Sequence, residues 1–399
     1  MNILWTLLLL ALGTGSGGAA PSDQADASIQ SRLPAIVQSS IQSMKANYAQ
    51  GRMNDPMTPA ELNPVIVQAE APKVKGIYVT AYSAGGSRLS SLLDLVDKTE
   101  LNSMVIDIKD DAGYITYKTD NATLQELGKP QPFIGDIDKL MTKLNEHEIY
   151  PIARIVVFKD TVLARKNPEL SFLNKDGSVW KNGKGDSFVN PYSKEVWDYN
   201  IEVAKEAAKH GFKEIQFDYV RFPEGFEKRA DSLKYTKNEL SRIDTVSEFV
   251  KYAREQLEPL GVKVSVDIFG YAASVPAAEG IGQDFVKISQ NVDIICPMIY
   301  PSHYTTGWFG AKEPDLAPYQ TIKGASEDTL KKLEPLGEEK PIIRPWIQDF
   351  TASWLGKGHY TKYGKHEVEE QIRALKDLNI EEYLLWNANN RYTADVDYE

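Results

Sequence analysis

The chain has 399 residues, 42% apolar and 25% charged, and a net charge of −11. Those figures describe a globular protein of one large domain or two ordinary ones and leave no basic footprint for nucleic acid. The single cysteine, Cys296, excludes an internal disulfide, and its apolar setting VDIICPMIY marks a packed thiol rather than a nucleophile.

The N-terminus carries an apolar run, Ile3–Leu12, followed by Gly and Ala residues up to Ala20. The run has signal-peptide length and is short for a membrane span, so residues 1–20 are expected to be an export signal, or a membrane tether if uncleaved. The protein is accordingly expected to be secreted or held at the cell surface. Residues 21–72 are polar and rich in Ala, Ser and Gln, with a helix expected over Ile29–Ala49 and a Pro-punctuated linker over Asn54–Pro72.

From Lys75 the pattern becomes short apolar runs separated by amphipathic segments, as in a parallel sheet covered by helices. Strands are expected at Gly76–Tyr82, Ser103–Asp110, Tyr150–Phe158, Glu214–Phe222, Val262–Gly270, Val292–Tyr300, Pro341–Asp349 and Tyr383–Asn390. Helices are expected at Ser87–Lys98, Ile137–His147, Glu195–His210, Thr245–Pro259, Gly282–Gln290, Glu327–Leu336 and His366–Asn379. Eight strands with seven intervening helices predict an α/β fold, a (β/α)8 TIM barrel over residues 73–399, with little or no eighth helix. The rival, a doubly wound open sheet, calls for a Gly-rich phosphate turn after the first strand, and Ala84-Gly85-Gly86 does not supply it.

A barrel of this kind carries its chemistry at the C-terminal ends of the strands. The fourth run, EIQFDYVRF, sets Asp218 within an apolar stretch, where a carboxylate is costly unless paired or used. On the fifth, Val264, Val266 and Ile268 suit the helix layer, which turns Ser265 and Asp267 toward the axis. Neighbouring strands lie about 4.8 Å apart, close enough for Asp218 and Asp267 to split their pKa values.

Two such carboxyl groups, with aromatic rings to hold a sugar, are the minimum equipment for cleaving a glycosidic bond. Asp218 is the expected nucleophile or base and Asp267 its acid/base partner, with Asp349 on the seventh strand competing for the second role. Trp346 and Trp386 are candidate stacking surfaces. Asp107, Asp110, Arg221, Tyr300, His303, Asn387 and Arg391 are candidate substrate ligands. The long connection Lys159–Lys194 is expected to form a lid or cleft wall, with Trp180 as a contact. No metal or other cofactor is expected: Asp107, Asp110 and Asp111 lack EF-hand-like spacing, and the five histidines are scattered.

The segments KGIYVTAY (Lys75–Tyr82), VIDIKDDAGYITY (Val105–Tyr117), ARIVVFKD (Ala153–Asp160), IQFDYVRFPEG (Ile215–Gly225), VDIFGY (Val266–Tyr271), ICPMIYPSHY (Ile295–Tyr304), PWIQDF (Pro345–Phe350) and WNANNRYT (Trp386–Thr393) resemble the bacterial family described as "Putative glycosyl hydrolase domain". The resemblance implies a TIM barrel and carbohydrate breakdown. Asp218 is similar in place to the nucleophile of α-amylase-type barrels, but Gln216 stands where those carry Arg, and Asp267 where they carry Glu. The function expected is that of a secreted glycoside hydrolase acting on a polysaccharide. The alternative is a barrel that binds glycan without cutting it.

Overall fold

The computed structural model describes residues 73–399. The expected leader or anchor (1–20) and the arm and linker (21–72), with the helix at Ile29–Ala49, lie outside the described residues.

Eight parallel strands close on themselves: β1 (Lys75–Val79), β2 (Ser103–Lys109), β3 (Tyr150–Val156), β4 (Glu214–Asp218), β5 (Lys263–Phe269), β6 (Ile294–Met298), β7 (Trp346–Gln348) and β8 (Tyr383–Trp386). Each pairs with the next, and β8 returns to β1 through Gly76↔Leu384. Gly76 sits where three strands crowd the base of the lumen. A Cβ there would lie 2.8 Å from a Leu384 methyl and 3.1 Å from the Ser103 Cβ.

Seven helices alternate with the strands: α1 (Arg88–Asp97), α2 (Ile137–Glu146), α3 (Lys194–Lys209), α4 (Arg242–Leu257), α5 (Phe285–Ser289), α6 (Pro318–Leu333) and α7 (Lys365–Lys376). Asp136, Ser193, Ser241 and Asp284 cap four of them by accepting from a backbone N–H in the first turn. The chain is therefore a (β/α)8 barrel. No helix follows β8 among the described residues. Val396 and Tyr398 of the C-terminal tail are buried instead, and the Tyr398 carbonyl accepts from Lys75 Nζ and Tyr383 Oη.

Strand alternation divides the interior in two. Ile77, Ile106, Ile155, Phe217, Val266 and Ile347 face the helices, whereas Val105, Ile152, Cys296, Trp346 and Leu384 fill the lumen. Below this plug Arg344 binds Glu214 and Glu382, each contact 2.8 Å. Above it the lining becomes polar, and the barrel opens.

Candidate active site

Three acids at the mouth are organised by one base. Arg154, third from last in β3 and 1% exposed, donates from Nη1 to Asp107 Oδ1 at 2.6 Å and to Asp111 Oδ2 at 3.2 Å. From Nη2 and Nε it donates to Asp218 Oδ2 at 2.6 and 3.1 Å. Burial works against the guanidinium charge, but Asp111, Asp218 and Asp107 outweigh it and raise the Arg154 pKa further. Tyr78 Oη donates to the other oxygen of Asp107 at 2.5 Å. Burial then lifts Asp107 to about 6 despite Arg154. Asp111 behaves oppositely: burial resists its ionisation, yet Arg154 and Lys159 hold it at about 2.

Asp218 ends β4, and its Oδ1 accepts from the backbone N–H of Tyr219 at 2.6 Å. Tyr219 itself stands at φ 52, left-handed backbone that a bulky residue adopts only under constraint. The strand register pairs Phe217 with Val266, so Asp218 and Asp267 lie one step further along, side by side. Asp267 Oδ1 accepts from Trp346 Nε1 at 2.7 Å, while Oδ2 has no hydrogen-bond partner among the described residues. Burial first, and then the charge of Asp218, raise the Asp267 pKa well above the usual carboxylate range. The pair is thus differentiated: Asp218 is surrounded by donors, and Asp267 is a buried acid whose ionisation burial and the neighbouring Asp218 oppose.

Both acids open into a cavity of about 500 Å3 lined also by Arg221, Tyr300, Trp346, Phe350 and Trp386. Trp386 stacks on Tyr78 with centroids 4.1 Å apart and planes 15° apart, and meets Trp346 edge-on. Arg221 lies between the rings of Tyr219 and Phe269, at 4.7 and 4.6 Å, and reaches Glu224 at 3.3 Å.

The family described as "Putative glycosyl hydrolase domain" matches residues 76–392, nearly the whole barrel. The chain belongs to this family. A hypothetical protein from Ruminiclostridium thermocellum is 38% identical over 48% of this chain and 96% of that one, with a TM-score of 0.44. The PgaB (BpsB) glycoside hydrolase domain from Bordetella bronchiseptica is 13% identical, covering 79% of this chain and 94% of its own, with a TM-score of 0.54. The α-galactosidase TtGalA from Thermus thermophilus, in complex with stachyose, is 12% identical over 84% of this chain and 66% of its own, with a TM-score of 0.50. At 12–13% identity those two share the fold. No curated protein matches.

Within this family member, Asp218, Asp267, Arg221, Tyr300, His303, Trp346 and Trp386 line the cavity, although Trp346, which opens β7, is fully buried and offers no ring face for a sugar to stack on. Asp107 lies beneath it, turned to Arg154 and Tyr78. Four more expected site residues also do not line it. Asp349 accepts from the Thr393 hydroxyl at 2.6 Å and the Thr393 N–H at 2.9 Å, so it anchors the C-terminal tail rather than facing Asp218. Asp110 Oδ1 accepts from the backbone of Ala112, Gly113 and Tyr114 and shapes the turn after β2. Asn387 donates to the carbonyls of Asp349 and Arg391, and Arg391 itself is exposed away from the cavity.

Arg154 is the central residue that the strand-end rule passed over. Its signal was present in YPIARIVVF, where alternation from Ile152 turns position 154 inward. The connection Lys159–Lys194 forms a packed wall, with Phe172 and Phe188 buried and Lys184 at the cavity. Trp180 is 7% exposed and lines a second hollow beside the first.

Proposed function

We propose that this barrel is a retaining glycoside hydrolase in which Asp218 is the nucleophile and Asp267 the acid/base. The observation that carries the reading is the pairing, at one level of adjacent strands, of a donor-surrounded carboxylate with a buried neighbour whose pKa is raised. Strands about 4.8 Å apart suit the carboxyl separation of about 5–5.5 Å used in retention better than the wider inverting gap. Asp218 attacks the anomeric carbon as the glycosidic bond breaks, and the departing oxygen takes the proton of Asp267. The glycosyl ester then yields to a water whose proton returns to Asp267, which frees Asp218 and releases the sugar with its original anomeric configuration. Trp386 and Tyr300 form the walls against which a ring would pack. Arg154 holds Asp218 in place and screens it from Asp107.

Substrate and setting follow the same reading. A polysaccharide suits an open cavity at a barrel mouth, and the apolar run Ile3–Leu12 supports an exported protein. Cell fractionation with sequencing of the mature N-terminus tests export.

One observation favours a second reading. Both bonds that Asp218 Oδ2 accepts come from a buried arginine, as in a structural ion pair, which would suit a barrel that binds glycan without cutting it. Screening the purified protein on cell-wall and storage glycans beside Asp218→Asn separates the two. Hydrolysis should fall by about 10²–10⁴-fold in the variant with binding retained. An inactive wild type whose affinity alone changes on substitution would establish the binding barrel.

A further inference from the structure

We infer that the hollow beside the catalytic cavity is a subsite for a sugar bearing a carboxylate, so that the glycan cleaved is an acidic one. This rests on the hydrolase reading for the cut, but not for the binding. The hollow has a volume of about 300 Å3 and shares Lys184, Tyr219, Arg221 and Glu224 with the cavity, so the two form one cleft. Its charge runs against that of the chain. Four cations line it, Lys159, Lys184, Arg221 and Arg229, against the two carboxylates Asp186 and Glu224, within a protein of net charge −11.

The distribution of partners sharpens this. Lys159 is matched by Asp111 at 2.9 Å, and Arg221 by Glu224 at 3.3 Å. Lys184 and Arg229 have no carboxylate within ion-pair distance among the described residues. Arg229 donates to the Gly225 carbonyl and lies 5.4 Å from the centroid of the Trp180 ring. Trp180, almost buried, gives the hollow an apolar floor, and the two unmatched cations stand at its edge. A ring face and a carboxylate on one sugar would use both features. A neutral sugar would leave the cations unused.

The discriminating probes are oligosaccharides of polygalacturonate, alginate and hyaluronan, each paired with its own carboxyl-reduced form, which keeps linkage and length and removes the charge. Binding is measured by calorimetry on the Asp218→Asn protein, so that turnover does not enter. At least one acidic probe should bind about fivefold or more tightly than its reduced partner, as expected of two exposed ion pairs. The preference should shrink toward one at high salt and in the Lys184→Ala/Arg229→Ala background. Both side chains are exposed, so the double variant should keep its thermal midpoint. Equal binding of the paired forms, a preference that survives the double substitution, or no binding of any acidic probe overturns the subsite. Failure of the hydrolase reading looks different: the acidic probe is bound through Lys184 and Arg229 but wild-type protein never shortens it.

Discussion

Trp346 is completely buried, and its indole N–H meets Asp267 at 2.7 Å. A donor to the charged form of an acid makes ionisation easier, so this bond limits how far burial and Asp218 raise the Asp267 pKa. A general acid is active while it keeps its proton, and activity falls as pH rises through its pKa. Trp346→Phe removes the donor, raises that pKa further and should carry the alkaline limb of kcat/KM upward by about one unit. The smaller ring leaves a cavity that costs about 1–3 kcal/mol, but the position of the limb does not depend on the amount of folded enzyme. A limb that stays put or moves toward acid would remove Asp267 from the acid role. The acids Asp218 and Asp267 were legible because each interrupts an apolar strand. Arg154 was equally legible by alternation, but a strand-end rule looks past a residue that still has two strand positions after it. Asp349 and Asn387 satisfy the same rule and serve neighbouring loops, since both a ligand site and a loop anchor need a polar side chain where a strand ends.

At the level of elements, the apolar runs located all eight barrel strands, while their ends were decided by turn chemistry. The first strand stops at Val79 because Thr80 caps the short helix Ala81–Ala84, its hydroxyl accepting from the Ser83 N–H. Helix α6 starts at Pro318, ahead of the expected Glu327, because proline suits the first helical turn and the opening turns carry few apolar residues to reveal the period. The place of an eighth helix is taken by a tail without regular structure, and such a segment depends on side-chain anchors. Asp349→Ala deletes the carboxylate that holds Thr393 by two bonds, and should lower unfolding free energy by about 1–3 kcal/mol. The tail should become cleavable by protease near Thr393 while kcat on any substrate found stays within about twofold, because Asp349 does not line the cavity. A loss of kcat by orders of magnitude in the folded variant would return Asp349 to the chemistry.

Across the whole barrel, the two ends of the lumen carry separate ionic networks with an apolar plug between them. At the mouth Arg154 is shared among Asp107, Asp111 and Asp218; at the base Arg344 is shared between Glu214 and Glu382. Barrels place activity at the mouth, so the base should bear on stability alone. Arg344 is 2% exposed, and its loss strands two buried glutamates, which costs about 3–5 kcal/mol when one partner of a buried pair is removed. Arg344→Met should therefore bring the urea midpoint down sharply. Replacing the whole triad, as in Glu214→Leu/Arg344→Met/Glu382→Leu, should recover most of the loss, since the penalty lies in the unmatched charges rather than in any missing attraction. Throughout this series kcat per folded molecule should stay near that of the wild type, because Val105, Ile152, Cys296 and Leu384 fill the lumen between the base and the acids. If kcat instead follows stability step by step, the plug transmits strain, and the geometry of Asp218 and Asp267 depends on the packing of the entire lumen rather than on Arg154, Tyr219 and Trp346.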